Sequence, residues 1–315
     1  MNSSRGKILV IRGGAIGDFI LTLPAIAALR RQFPDAHLEV LGYPHIVQLA
    51  VAGELVDRVQ SIEARALAGF FARNGALEPD LADYFSEFDI IVSYLFDPDE
   101  IFKKNIARCS PAQFIVGPHR PNENEPLHAA KVFLKPLERL AIFEADSIPR
   151  ISFQGQPRIA PKPVESGSTF NLVALHPGSG SEKKNWAESN WVNLLQFLLS
   201  ETNAGILLIG GEAEGERLQR LAAALPPQRI KVAQSLPLAE LARLLQTCTA
   251  FVGHDSGISH LAAAVGLPGV ILWGETAEAI WRPPHERVRI IKSSAGLRGL
   301  TVAEVSREIS GLLNR

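Results

Sequence analysis

One segment constrains the fold more than any other. In residues 251–266, FVGHDSGISHLAAAVG, an apolar β-prone run meets Asp255-Ser256-Gly257 and passes at once into an alanine-rich helix carrying His260. Backbone N–H groups at such a helix start, with the positive end of the helix dipole behind them, make a seat for an anion, and for a diphosphate in particular. A second glycine-bearing turn, Arg12-Gly13-Gly14-Ala15-Ile16-Gly17-Asp18, follows the apolar run KILVIR near the start of the chain. Two strand-turn-helix units so far apart predict two lobes facing one nucleotide-binding cleft.

The rest of the chain supports that division. β-prone runs at residues 7–12, 37–41 and 89–96 alternate with helical patterns in the first half, and runs at 172–176, 205–209, 231–233, 250–253, 270–273 and 288–292 do so in the second. Alternation of this kind predicts α/β lobes with parallel sheets and right-handed crossovers, whose ligands bind beyond the carboxyl ends of the strands. Between them, IPRISFQGQPRIAPKPVESGST is rich in Pro, Gly and Ser and predicts a linker, with the boundary near residue 160. The expected domains are 1–160 and 161–315. In the first helix Pro24 predicts either a kink or a start at Thr22 with the proline in the first turn.

At 315 residues, 46% hydrophobic and 21% charged, the chain can fill two cores. Its net charge of -1 gives no reason to expect a nucleic-acid partner, which would want a basic face. The two cysteines, Cys109 and Cys248, are too few for a disulfide framework and are expected to be buried thiols. The apolar run after the first residues is too short for a signal h-region or a membrane span, so a soluble, cytoplasmic protein is expected.

Four constellations could carry chemistry. In the first turn, a dinucleotide fingerprint would place glycine where Arg12 stands and an acid after the second strand, where Gly42-Tyr43-Pro44 stands, so an NAD site is disfavoured. Asp18 suits a helix N-cap. The loop His176-Pro177-Gly178-Ser179-Gly180-Ser181-Glu182-Lys183-Lys184-Asn185-Trp186 combines small residues with lysine, as an anion loop would, but lacks Walker A spacing; a solvated surface loop is the alternative. Trp186 and Trp191 fit core packing. In the Asp255–His260 motif, Asp255 either caps the helix or binds ribose hydroxyls, and His260 either reaches a phosphate or ribose or makes a structural hydrogen bond. Asp97-Pro98-Asp99 has the spacing of a divalent-metal motif, but three residues in an acid-rich loop are weak support and no metal is expected. No His/Cys ligand cluster or Gly-x-Ser-x-Gly elbow is present in the sequence.

Taken in order, KILVIRGGAIGDFILTLPAIAALRRQFP, LHPGSGSEKKNW and FVGHDSGISHLAAAVGLPGVILWG resemble glycosyltransferase family 9, the bacterial ADP-heptose lipopolysaccharide heptosyltransferases. The resemblance implies a GT-B fold, with acceptor bound by the N-terminal domain and nucleotide sugar by the C-terminal one, and inversion at the anomeric carbon without a metal. It implies that Asp18 is the general base, with Arg12, Gly13, Gly14 and Gly17 forming the acceptor-side loop. It matches Ser179 and Lys184 to a phosphate-contacting loop, Asp255, Ser256, Gly257 and His260 to the donor motif, Glu212 to a nucleoside contact and Leu236 to the adenine flank. The chain departs from the family at Gly274-Glu275-Thr276, where Gly-Pro-Thr is common, and at His254, where small or amide residues are usual. Cysteines that some members carry are missing after Lys292.

The expected reaction is transfer of a heptose or similar sugar from an ADP-sugar to a lipopolysaccharide core or related glycan, with the nucleotide sugar as substrate and no cofactor. The partners this implies are the donor and a lipid-linked or core oligosaccharide acceptor, with peripheral contact at the inner membrane face. The rival readings are another GT-B sugar-nucleotide enzyme, a hexosyltransferase or epimerase, and a non-catalytic nucleotide-binding paralogue.

Overall fold

The computed structural model describes residues 6–153, 171–223 and 225–313. The chain divides into two compact units, Met1–Ser152 and Phe153–Arg315. The linker expected around residue 160 lies mostly outside the described residues. Among those described, no helix is long and apolar enough to cross a membrane.

The first unit holds β1 (Lys7–Arg12), β2 (His37–Gly42), β3 (Arg58–Ser61), β4 (Ile90–Ser93) and β5 (Gln113–Val116). They pair in the order β3-β2-β1-β4-β5, all parallel. From Ile8 onward every residue of β1 is buried, because a central parallel strand is covered on both faces. Below it, Leu9 and Ile11 pack with Phe70, Phe85, Phe88 and Phe102.

The helix Ile16–Gln32 begins directly after the glycine turn and keeps Pro24 inside it, which excludes the start at Thr22, one of the two alternatives. An interior proline costs about 3 kcal/mol. Burial of Phe19, Ile20, Leu21, Leu23, Ile26 and Leu29, at roughly 1.5–3 kcal/mol each, outweighs it. β4 stops at Ser93, short of the expected Phe96. Tyr94 turns inward to donate its hydroxyl to the Phe133 carbonyl at 2.6 Å, while Phe96 is left 70% exposed.

The second unit holds β6 (Leu172–His176), β7 (Gly205–Gly210), β8 (Ile230–Gln234), β9 (Ala250–His254), β10 (Gly269–Leu272) and β11 (Val288–Ile291). Their order is β11-β10-β9-β6-β7-β8, again parallel throughout. Trp186 and Trp191 lie in its core with Val173, Leu175 and Leu194, as core-packing residues should. The cysteines are half-buried rather than buried. Burial still raises both thiols, Cys248 to about 12, which leaves them protonated and inert at neutral pH.

Each sheet reverses its strand order once, between β1 and β4 in the first unit and between β6 and β9 in the second. Such a reversal opens a crevice at the carboxyl ends of the two strands. The glycine turn after β1 lies at one crevice. At the other lie the loop after β6 and the Asp255-Ser256-Gly257 turn after β9.

Candidate functional site

In the first unit, Gly14 has φ of 101°, a left-handed conformation that L side chains avoid, and a Cβ there would lie 3.0 Å from Asp18 Oδ2. Glycine therefore permits both the turn and the close approach of the carboxylate. Gly13 and Gly17 flank it, the latter already within the helix. Asp18 is not the N-cap that its residue type suggests; Ala15 holds that position, and Asp18, the third helical residue, reaches back to accept the Ala15 N–H at 3.1 Å. Its other oxygen, Oδ1, lies 3.6 Å from Arg12 Nη2, and the side chain is 24% exposed. One oxygen is thus anchored, and the carboxylate stays open to solvent.

Arg12, which the resemblance places on the acceptor-side loop, is 3% exposed and so lies inside the unit rather than on the open side of that loop. Its guanidinium donates to the carbonyls of His119 at 2.8 Å, Asp18 at 3.3 Å and Tyr94 at 3.4 Å, and stacks 4.5 Å from the Phe133 ring. Desolvation pulls its pKa down and the Asp18 charge opposes that shift. Arg12 is an internal strut joining the base of the Asp18 turn to the segments after β4 and β5. Removing the guanidinium takes the donor from carbonyls it satisfies, at roughly 1–3 kcal/mol for a buried group left unpaired. Arg12→Met is expected to lower unfolding stability by about 2 kcal/mol in urea titrations; a loss below about 0.5 kcal/mol, the size of an ordinary surface substitution, would remove the strut.

In the second unit the loop after β6 is held from several sides. Gly178 is required, since a Cβ would come within 2.4 Å of the Glu214 side chain, which itself accepts the Gly211 N–H at 2.9 Å. Ser179 Oγ lies 2.8 Å from both the Ser181 carbonyl and Asn185 Oδ1. Lys184 ends the short turn Glu182–Lys184 and donates to Asp255 Oδ2 at 2.9 Å, tying the β6 loop to the turn after β9. With side-chain exposures of 45% and 11%, the pair is worth little stability. Its effect is to bring a lysine to the mouth of the next helix.

That helix, Gly257–Ala264, is capped by Ser256, whose Oγ accepts the Ser259 N–H and lies 3.4 Å from His176 Nδ1. Asp255 therefore does not cap; its carboxylate faces Lys184. His260 is 5% exposed in the first turn of the helix. Glu212 is exposed at the start of the turn after β7, and Leu236 is half-buried just beyond β8. The departing segment Gly274-Glu275-Thr276 is closed by the Trp273 indole, which donates to the Thr276 carbonyl at 2.7 Å. Asp97 accepts the N–H groups of Phe102 and Lys103 at 3.2 and 3.0 Å, and Asp99 pairs with Arg73 at 3.0 Å, so both carboxylates of that spacing are engaged.

Sequence reasoning missed two residues of this half. Arg217, from the helix Gly215–Ala223, donates to the Pro177 carbonyl at 3.3 Å and to Glu182 at 3.0 Å, bracing the anion loop from behind. Glu214 packs on Gly178. Their signal is the amphipathic pattern after Gly210-Gly211, which gives the face of the helix but not its target.

Residues 152–302 match glycosyltransferase family 9 (heptosyltransferase). The chain is also 22% identical over 292 residues to lipopolysaccharide heptosyltransferase 3 of Escherichia coli K12, covering 86% of this chain and 83% of that protein. Among solved structures, the E. coli ADP-heptose heptosyltransferase II superposes with a TM-score of 0.78 at 18% identity, covering 98% of both chains. An E. coli heptosyltransferase solved with ADP superposes at 0.75 and 18% identity, covering 97% of this chain and 99% of that one. The fold is therefore GT-B, built from two Rossmann-like units, and the protein is a glycosyltransferase similar to the heptosyltransferases.

Proposed function

We propose that the enzyme transfers a heptose or closely similar sugar from an ADP-sugar to a hydroxyl of a lipopolysaccharide core or related glycan, with inversion and without a metal. The observation that carries this reading is the Lys184–Asp255 contact at the β6/β9 crevice, which gathers a cation, small-residue backbone and a Ser256-capped helix start where a diphosphate would sit. The C-terminal unit takes the donor, through Ser179, Lys184, Asp255, Ser256, Gly257 and His260, with Glu212 toward the nucleoside. The N-terminal unit takes the acceptor at its own crevice.

Asp18 accepts the proton of the acceptor hydroxyl. The freed oxygen attacks the anomeric carbon from the face opposite the diphosphate, the new C–O bond forms as the bond to the β-phosphate oxygen breaks, and ADP leaves with that electron pair. General-base assistance contributes ~10²- to 10⁴-fold; alignment and charge stabilisation at the leaving diphosphate supply the remainder. The engagement of Asp97 and Asp99 in a helix cap and an ion pair supports a mechanism without a carboxylate-bound cation. Acceptors of this class are lipid-linked, so we place the enzyme in the cytoplasm with peripheral contact at the inner membrane face.

Titration calorimetry with ADP, UDP and GDP in EDTA tests the donor assignment. ADP is expected to bind selectively, and Lys184→Ala to weaken it about tenfold, equivalent to about 1.4 kcal/mol. Preference for UDP or GDP would overturn the ADP-heptose assignment, and equal affinity in the variant would remove Lys184 from the diphosphate seat.

A further inference from the structure

The loop that carries Ser179 and Lys184 is held near both its ends by one imidazole. His254, the last residue of β9, is completely buried. Its Nε2 lies 2.8 Å from the backbone nitrogen of Trp186, and its Nδ1 lies 3.2 Å from the carbonyl oxygen of Gly178. A carbonyl only accepts and a backbone N–H only donates, so the proton must sit on Nδ1 while Nε2 accepts. The two contacts together fix both the tautomer and the neutral state. Burial is the main cause that pushes the imidazole down to about 4, against the raising effect of its bond to Gly178, so the neutral form persists at pH 7.

The ring is itself immobilised. It stands edge-on to Trp191, with centroids 5.4 Å apart at 80°, and Trp191 in turn packs against Trp186. The His254 backbone carbonyl accepts the Ser259 hydroxyl from the following helix. One residue thereby connects the strand, the helix start and both shoulders of the loop after β6.

We propose that His254 is the positioning residue of the anion loop, fixing the separation of Gly178 and Trp186 so that Ser179 and Lys184 stand at the crevice before ligand arrives. This rests on the reading of that loop as the diphosphate seat. The physical gain is preorganisation: a loop already in its bound shape loses less entropy on binding. A side-chain amide can reproduce half of the clamp at a time. Asparagine brings a donor nitrogen to the place of Nδ1, and glutamine brings an acceptor oxygen to the place of Nε2, because their bond paths from Cβ match those of the ring.

The test compares His254→Ala, His254→Asn and His254→Gln in the full chain by amide hydrogen exchange and ADP calorimetry. In His254→Ala the Trp186 amide is expected to exchange at least ~10-fold faster and ADP to bind at least ~10-fold more weakly, a loss of one hydrogen bond's worth. His254→Gln should restore protection at Trp186, and both amides should bind ADP more tightly than alanine. Exchange unchanged in the alanine variant, or loosening spread over the whole unit with no amide rescue, overturns the proposal. If the alanine variant fails to fold, the asparagine–glutamine contrast at Trp186 decides: equal protection in the two overturns it. If the unaltered chain binds no ADP, the donor reading falls, while loop-confined exchange still decides whether His254 holds the loop.

Discussion

Asp18→Asn will lower turnover by ~10²- to 10⁴-fold while leaving ADP affinity within about twofold. Asparagine keeps the shape, and its side-chain oxygen can still accept the Ala15 N–H that the carboxylate accepts at 3.1 Å, so the turn after β1 should keep its geometry. What it loses is the capacity to take a proton and the charge that lies 3.6 Å from Arg12. The donor contacts are all assigned to the C-terminal unit, so nucleotide binding should not follow the loss. Steady-state kinetics beside ADP calorimetry separates the two. Turnover within threefold of the parent would exclude Asp18 as the base, and a parallel loss of ADP affinity would place it in the donor site.

The second large effect is acid lability of the C-terminal unit. His176 and His254 are buried side by side at the ends of β6 and β9, and desolvation is the largest cause pushing them to about 3 and about 4 respectively. Around His254, the Arg217 charge lowers it further and Asp255 opposes. In the unfolded chain both would titrate near ~6.5. The unfolded state therefore binds protons that the folded state refuses. The stability from burying them neutral is fully present above about pH 6.5 and is lost as pH falls toward the folded values. At ~1.4 kcal/mol per pH unit per group, the pair removes about 5 kcal/mol by pH 4.5, a large part of the ~5–15 kcal/mol typical of a domain.

Trp186, Trp191, Trp273 and Trp281 account for all 4 tryptophans and fall in the C-terminal unit, so their fluorescence reports on it alone. Urea titrations followed by tryptophan emission should lose stability steadily between pH 6.5 and 4.5, with a slope approaching two protons. A flat profile over that window would mean that the two imidazoles are accessible to protons in the folded state.

The central strands and glycine turns were legible in the sequence because they are encoded locally. KILVIR and AFVGH have apolar centres, Ile8 to Ile11 and Ala250 to Val252, as a doubly covered strand requires, and each is followed by small residues and a helix. β3 and β5 were not legible. Both are four-residue edge strands with exposed positions: RVQS has a single apolar residue, and the three apolar residues of QFIV are too short a run to mark a strand. The start of the first helix was left open by the sequence because Pro24 weighs heavily in local reasoning, and only the tertiary burial of its neighbours overrides it.

The candidate site divides along the same line. Residues that follow directly on a central strand, such as Asp18, Ser179 and Ser256, could be singled out from the motif itself. What each does could not. That Asp255 faces Lys184 and that Arg12 is interior depend on partners 71 and 107 residues away and on burial, and with Asp255 drawn to Lys184 the helix is capped by Ser256 through the Ser259 N–H. Arg217 and Glu214 were invisible for the same reason: nothing near them in sequence names Pro177 or Gly178 as their targets.

The most direct test of the account is incubation of the enzyme with ADP-heptose and a core-glycan acceptor in EDTA, following ADP release and the anomeric configuration of the product by NMR. The expected result is one ADP released per sugar transferred, no dependence on added metal, and a glycosidic bond of configuration opposite to that of the donor. Retention of configuration, or transfer abolished by EDTA and restored by a divalent cation, would contradict it.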